Sequence, residues 1–214
     1  PQSYMVRLDP VTNTLQRDKA PAILNPFDLF ATEEAVRLKE RYGGSIYAFT
    51  MGIPAASKVL KEAMAMGADD GFLLSDRQFA GADTLATAYT LAQGIQKRGC
   101  FDLVICGRMA TDGDTAQVPP ILAEFLGVPC LTDICQIISV EDDLLRCRRM
   151  GDDRYSIWEV RLPAMITVTK EINVPRLPSI AGLRYAAGHP VTTWSAADFP
   201  GMDKERIEIG RAHV

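Results

Sequence analysis

The stretch "ICGRMATDGDTAQVPPILAEFLG", Ile105 to Gly127, passes from an apolar run through an acidic, glycine-bearing loop into residues with helical spacing. The same grammar continues upstream. "SIYAFTM" (Ser45–Met51), "DGFLLS" (Asp70–Ser75) and "FDLVICG" (Phe101–Gly107) read as short buried strands. Between them, "ATEEAVRLKERYGG" predicts a helix with Thr32 as N-cap and Gly43 as stop. "PAASKVLKEAMAMGA" predicts a second helix ending at Gly67, and "ADTLATAYTLAQGIQKRG" a third stopped by Gly99. Strands that alternate with helices require right-handed crossovers, hence a parallel sheet covered on both faces. The expected core is a Rossmann-like α/β domain.

After Pro129 the pattern changes. "CLTDICQIISVEDDLLRCRRMGDDRYSIWEVRLPAMITV" is mostly strand, with Gly151-Asp152-Asp153 as a hairpin turn, so antiparallel strands should extend the sheet. The run from Lys170 to Pro190 is broken by Pro175, Pro178, Gly182 and Gly188 and reads as an exposed, shaped loop. The remaining tail has one good capping start, Ser195-Ala196-Ala197-Asp198, and little core of its own.

Composition narrows the chemistry. In 214 residues, 47% are hydrophobic, enough for an ordinary core, yet no apolar run approaches the roughly 20 residues of a spanning helix. The N-terminus "PQSYMVRLDP" lacks the basic start and apolar stretch of a secretory signal, so a cytoplasmic location is expected. Net charge is −4 with both signs interspersed, which favours small molecules or protein partners over nucleic acid or membrane. Five cysteines without a C-x-x-C pair are expected to be reduced thiols, and only His189 and His213 are available, so a protein-held zinc or a histidine-based triad is disfavoured. Any redox work then needs an organic cofactor.

In a parallel α/β sheet, ligands sit beyond the carboxyl ends of the strands, where the Gly107–Val118 loop falls. Gly107 and Gly113 allow close backbone approach, and the amides opening the next helix suit phosphate. Pro119 cannot donate to Thr115, so the regular helix is expected to begin or bend near Ala116, with Asp114 and Gln117 spaced like a capping box. The same residues also fit a loop without ligand, with Asp112 and Asp114 as caps, Thr115 as a turn residue and Arg108 as a solvated cation. Neither G-x-G-x-x-G nor a Walker loop is present, and spacing leaves both readings open.

"GRMATDGDTAQV" resembles the nucleotide-binding segment of the β subunit of electron-transfer flavoprotein. "NPFDLFATEEAVRLKE", "AMAMGADDGFLLSD" and "RLPAMITVTKEINVPR" resemble that subunit in the same order, so the similarity covers nearly the whole chain. The resemblance implies an adenine-nucleotide α-hydrolase-like Rossmann sheet over residues 1–190 and a tail, 191–214, reaching toward an α subunit. It implies a heterodimeric electron carrier without complete catalytic activity of its own. Adenine-nucleotide contacts are implied at Asn25, Pro26, Phe27 and Asp28, at Met51 and Gly52, and at Gly107, Arg108, Met109, Ala110, Thr111, Asp112, Gly113, Asp114, Thr115, Ala116, Gln117 and Val118.

Some β subunits of this kind hold AMP as a structural filler, and others hold FAD and take part in electron bifurcation. Here "SDRQFAGADTLATAYTLA" resembles the FAD-holding branch, and Asp83, Thr84 and Thr87 offer hydroxyls and amides at a helix start for a pyrophosphate and ribityl chain. FAD is therefore expected, with AMP as the alternative. A nucleotide-binding hydrolase or a regulator on a similar fold is the remote reading, short of a phosphate loop. Implied partners are the α subunit, a flavin dehydrogenase such as an acyl-CoA dehydrogenase of fatty acid β-oxidation, and in bifurcation NADH with ferredoxin or flavodoxin. "NVPRLPSIAGLRYA" resembles the loop by which such subunits recognise dehydrogenases, with Leu177, Ile180 and Leu183 as apolar anchors. The family also opens with a buried strand that "PQSYMVRLDPVTNTL" does not match, so one sheet strand is expected to be lacking.

Overall fold

The computed structural model describes residues 22–111 and 115–208, and within them the alternation of helix and strand is realised. Helix α1 spans Pro26–Tyr42, strand β1 Tyr47–Met51, α2 Ser57–Met66 and β2 Asp70–Leu74. They are followed by α3 (Thr84–Arg98), β3 (Leu103–Gly107) and α4 (Val118–Leu126). Strands β4 (Cys130–Glu141), β5 (Leu144–Met150), β6 (Tyr155–Arg161) and β7 (Ala164–Val168) come next, then α5 (Ile180–Gly188), β8 (Thr192–Trp194) and α6 (Lys204–Glu208).

Among the described residues the strands form two sheets, ordered β1-β2-β8 and β3-β7-β4-β5-β6. β1 pairs β2, β2 pairs β8, β3 pairs β7 and β4 pairs β7 in parallel, while β4-β5-β6 are antiparallel. The expected α/β class and its antiparallel extension are thus present. The β5–β6 hairpin turns where Gly151 donates its N–H to Arg154 O at 3.0 Å. Helices cover both faces of β3 and β7: Ala31 of α1 packs with Ile134, Ile166 and Val168 on one side, and Ala88, Ala92 and Leu122 of α3 and α4 pack with Met165 on the other. Side chains as enclosed as Leu74, Ile134 and Ile166 each remove enough apolar surface for roughly 1.5–3 kcal/mol. The expectation that the family's opening strand is lacking concerns residues outside those described.

Several expectations are corrected. α1 begins at Pro26, so Thr32 is no cap: its hydroxyl donates to Asp28 O at 2.8 Å inside the helix. Proline at the first helical position tolerates the missing amide and starts the helix seven residues earlier than Thr32 as a cap implies. Ser45 and Ile46 precede β1, because Ile46 instead bonds the Asp69 carboxylate through its N–H. α4 starts at Val118, close to the expected Ala116, whose φ of 54° bends the chain just before the helix. The 170–190 run contains α5: Pro175 and Pro178 lie before its N-cap Ser179, whose hydroxyl accepts Gly182 N–H at 3.0 Å, so the prolines punctuate rather than disrupt. The tail carries more than a capping start, because β8 pairs with β2, and Phe199 and Ile207 enter the core beside Leu74 and Tyr89. Its expected cap is found, as a reciprocal Ser195–Asp198 capping box.

Candidate functional site

The site is built where α1 begins and β3 ends. Asn25 stands at the N-cap of α1 yet makes no side-chain cap to its own helix. Its amide Nδ2 donates to the Asp28 carboxylate and to Met109 O, both at 2.9 Å, and its Oδ1 faces Thr111 N at 3.4 Å. The other oxygen of Asp28 accepts Gly107 N–H at 2.7 Å. Burial pushes the Asp28 carboxyl above its ordinary value, and the Asn25 and Gly107 donors pull against that shift. Two side chains thereby tie Gly107, Met109 and Thr111 to the first turn of α1.

The approach is close enough to specify glycine. A Cβ on Gly107 would lie 2.6 Å from both the carbonyl carbon and the Cβ of Phe27 and 2.8 Å from Asp28 N. Phe27 therefore contributes its backbone as the wall against which the loop rests. Arg108 bonds Val168 O through its N–H at 3.1 Å, and its Nε lies 3.1 Å from Asp133 Oδ1, an ion pair by distance that lacks the alignment of a hydrogen bond. Asp133 sits in β4 at a φ of 60°, where the β4–β7 register shifts. A single carboxylate inside the apolar run "CLTDICQII" was the available signal for it, and sequence reasoning passed over it.

A second cluster forms where α3 and α4 begin. Thr84 Oγ1 is 3.1 Å from Gln117 Oε1, so the two helix starts converge. Asp83 caps α3 by accepting Ala86 N–H at 2.8 Å, and Thr87 lies one turn further along. With Ala86 N–H taken by Asp83, the amides of Thr84 and Leu85 are left without intrahelical acceptors, as at any helix start. α4 offers fewer, because Pro119 and Pro120 carry no N–H. Ala116 and Gln117 are exposed at the mouth, Val118 is half-buried, and Thr115 and Ala110 complete the described loop. The expected Asp114–Gln117 box and the contacts of Asp112, Gly113 and Asp114 lie outside the described residues. Met51 ends β1 among Leu74 and Tyr89, and Gly52 N donates to Leu74 O at 3.0 Å.

The proline-bearing segment stands apart from this site. Leu177 is 90% exposed, Ile180 74% and Leu183 54%, with Val174 beside them at 80%. They do not pin the segment to its own domain. All five cysteines are unpaired, and burial raises the thiol of Cys147 to about 11. Among the described residues no helix is long and apolar enough to cross a membrane, and no cluster of histidine, cysteine and carboxylate side chains is placed to hold a metal.

Comparison with known proteins follows the same lines. Residues 12–199 match the model of the electron transfer flavoprotein domain. The chain is 45% identical over 210 residues to the electron transfer flavoprotein subunit beta of Clostridium acetobutylicum, covering 98% of this chain and 79% of that one. It is 45% identical over 206 residues to the caffeyl-CoA reductase-Etf complex subunit CarD of Acetobacterium woodii, covering 96% and 78%. It is 42% identical over 204 residues to protein FixA of Bradyrhizobium diazoefficiens, covering 92% and 71%.

Proposed function

The chain belongs to the electron transfer flavoprotein family, among its β subunits, and on that premise we propose that it is the β subunit of a heterodimeric electron carrier that binds FAD. The observation that carries this reading is the tethered loop, in which an N-cap asparagine and a buried aspartate hold Gly107, Met109 and Thr111 against α1 at the end of β3. An asparagine that leaves its own helix uncapped to hold a loop is placed for something other than local stability.

The donor set suits the cofactor. The first-turn amides of α3 with Thr84 and Thr87 would hold pyrophosphate and ribityl oxygens, and the Gly107–Val118 loop the adenosine end. Bound there, FAD supplies a centre that takes up and releases electrons singly or in pairs. The residues of this chain bind and orient it, Asn25 and Asp28 by fixing the loop and Gly107 by admitting α1 against it. Electrons would pass between a flavin dehydrogenase or NADH and an acceptor such as ferredoxin or flavodoxin, by bifurcation, in a cytoplasmic complex with an α subunit. The exposed Val174–Leu183 strip would receive the dehydrogenase.

The test is acid extraction and chromatography of the chain co-expressed with its α subunit. About two FAD per αβ pair are expected, one in each subunit. Two observations favour a second reading, AMP as a structural nucleotide: Pro119 and Pro120 remove two amides from the start of α4, and Asp83 spends its carboxylate on capping. One FAD and one AMP per pair would establish that reading instead.

A further inference from the structure

One side chain fixes the start of the exposed apolar strip. Arg176 Nε and Nη2 lie 2.8 and 3.2 Å from the two oxygens of Glu33, and its own N–H donates to the same carboxylate at 3.1 Å. Its Nη1 and Nη2 also reach both oxygens of Glu40, at 2.6 and 3.0 Å. Glu33 is 2% exposed, a buried charge whose partners are Arg176 and Arg37, the latter at 2.7 Å. Arg37 in turn reaches Val174 O at 3.4 Å, and Asn173 Nδ2 donates to Phe30 O and Glu34 Oε2 at 3.0 and 2.9 Å. All of these acceptors and Arg37 lie on α1, except the carbonyl of Val174 itself.

The far end of the strip is fixed separately. A Cβ on Gly182 would fall 2.1 Å from Ala65 O, so α5 lies directly on α2. Lys61 donates to the carbonyls of Ala186 and His189, Tyr185 Oη to Asp69 O at 2.7 Å, and His189 Nε2 is 2.7 Å from an Asp70 oxygen. Between these anchors Val174, Leu177, Ile180 and Leu183 face outward. Backbone clamped at both ends with apolar side chains held in water is the arrangement of a preorganised docking element, since ordering costs are met before binding.

We propose that Arg176 is a positioning residue for partner docking: by bridging Glu33 and Glu40 it holds the Val174–Leu183 strip in the pose that receives a dehydrogenase. The inference rests on reading that strip as the docking surface. Its chemistry requires arginine, because a planar guanidinium spans two carboxylates at once and an ammonium is a single point charge.

The experiment uses the heterodimer and an acyl-CoA dehydrogenase reduced by its acyl-CoA substrate. Arg176→Ala, Arg176→Lys, Ile180→Ala and the Arg176→Ala/Ile180→Ala pair are compared for electron-transfer KM and kcat, nucleotide content, and amide hydrogen exchange over residues 173–183. Arg176→Ala is expected to raise the apparent KM for the dehydrogenase about tenfold, with kcat and nucleotide content unchanged and exchange in the strip faster. Arg176→Lys should recover only part of that change, and the double variant should fall short of the product of the singles, because both act on one surface. If Ile180→Ala raises KM while Arg176→Ala does not, the positioning role is wrong and the docking surface stands. If Ile180→Ala also leaves KM unchanged, the docking reading fails and this inference with it. Loss of kcat or nucleotide alongside KM overturns the proposal in favour of a general structural role, and should Arg176→Ala not fold, a wild-type KM in Arg176→Lys overturns it equally.

Discussion

The start and the flank of α1 solve opposite problems. At its start, polar groups that would be costly to bury are satisfied one by one, Asn25 with Met109 and Thr111, Asp28 with Gly107, and the space is so full that no Cβ fits at Gly107. Along its flank, Glu33 and Glu40 gather Arg176 so that apolar side chains from Val174 to Leu183 stay out in solvent. The first arrangement closes a cradle by saturating hydrogen bonds, and the second keeps a surface open by clamping its backbone. A buried polar group demands partners, whereas an exposed leucine demands none, so the same helix can do both.

The sharpest way to break this contrast is Gly107→Ala. Its Cβ meets backbone atoms and the Phe27 Cβ rather than a flexible side-chain tip, so overpacking should cost about 3 kcal/mol or more and, on the proposed reading, lower the nucleotide content as well. Thermal unfolding and extracted nucleotide, measured on one preparation, check this, and an unchanged Tm would mean that α1 and the loop are less tightly joined than the contacts imply.

The open flank predicts the reverse pattern. Ile180→Ala removes a side chain 74% exposed, so stability should shift by less than about 0.5 kcal/mol, as for surface positions generally, while the proposed docking should weaken by roughly 1 to 3 kcal/mol. Titration calorimetry with the dehydrogenase beside a denaturant curve separates the two quantities. Equal losses in both would erase the distinction between cradle and surface.

Acidification should act on the clamp. Burial alone would raise the Glu33 carboxyl, but hydrogen bonds from Arg176 and Arg37 outweigh it and hold the folded-state value below the ordinary 4.5. A depressed carboxylate contributes stability that is fully present above 4.5 and is lost as pH falls through the lower folded value. Tm should therefore drop on that acid limb, and Glu33→Gln should flatten it. A Glu33→Gln profile that still follows wild type would assign the limb to other groups.

The smallest effect is expected at Ala116. Its φ of 54° strains a residue with a Cβ, so Ala116→Gly should relieve strain by about 0.5 to 1 kcal/mol after the entropy that glycine adds to the unfolded chain. Differential unfolding with and without nucleotide shows whether that strain is confined to the free loop or retained on binding.

Much of this was legible from residue order. Gly43, Gly67 and Gly99 end the helices they were expected to end, and Gly151 opens the hairpin, because caps and turns depend on atoms within about four residues. The placement of Asn25–Asp28 beside the Gly107 loop was legible through resemblance, and the structure supplies the bonds that join them. The 170–190 run is not a loop throughout for a physical reason: Pro175 and Pro178 precede the Ser179 cap, and Gly182 and Gly188 are accommodated within α5.

The sequence by itself determined the periodicities, and with them the α/β class and the antiparallel extension. Tertiary structure alone decided that β8 borders β2, that Gly182 lies on Ala65, and that Arg176 finds Glu33 143 residues away. Local geometry is set by dihedrals and neighbours in the chain. Partnership between distant residues is set by which surfaces the folded elements bring into contact, and no spacing in the sequence encodes that directly.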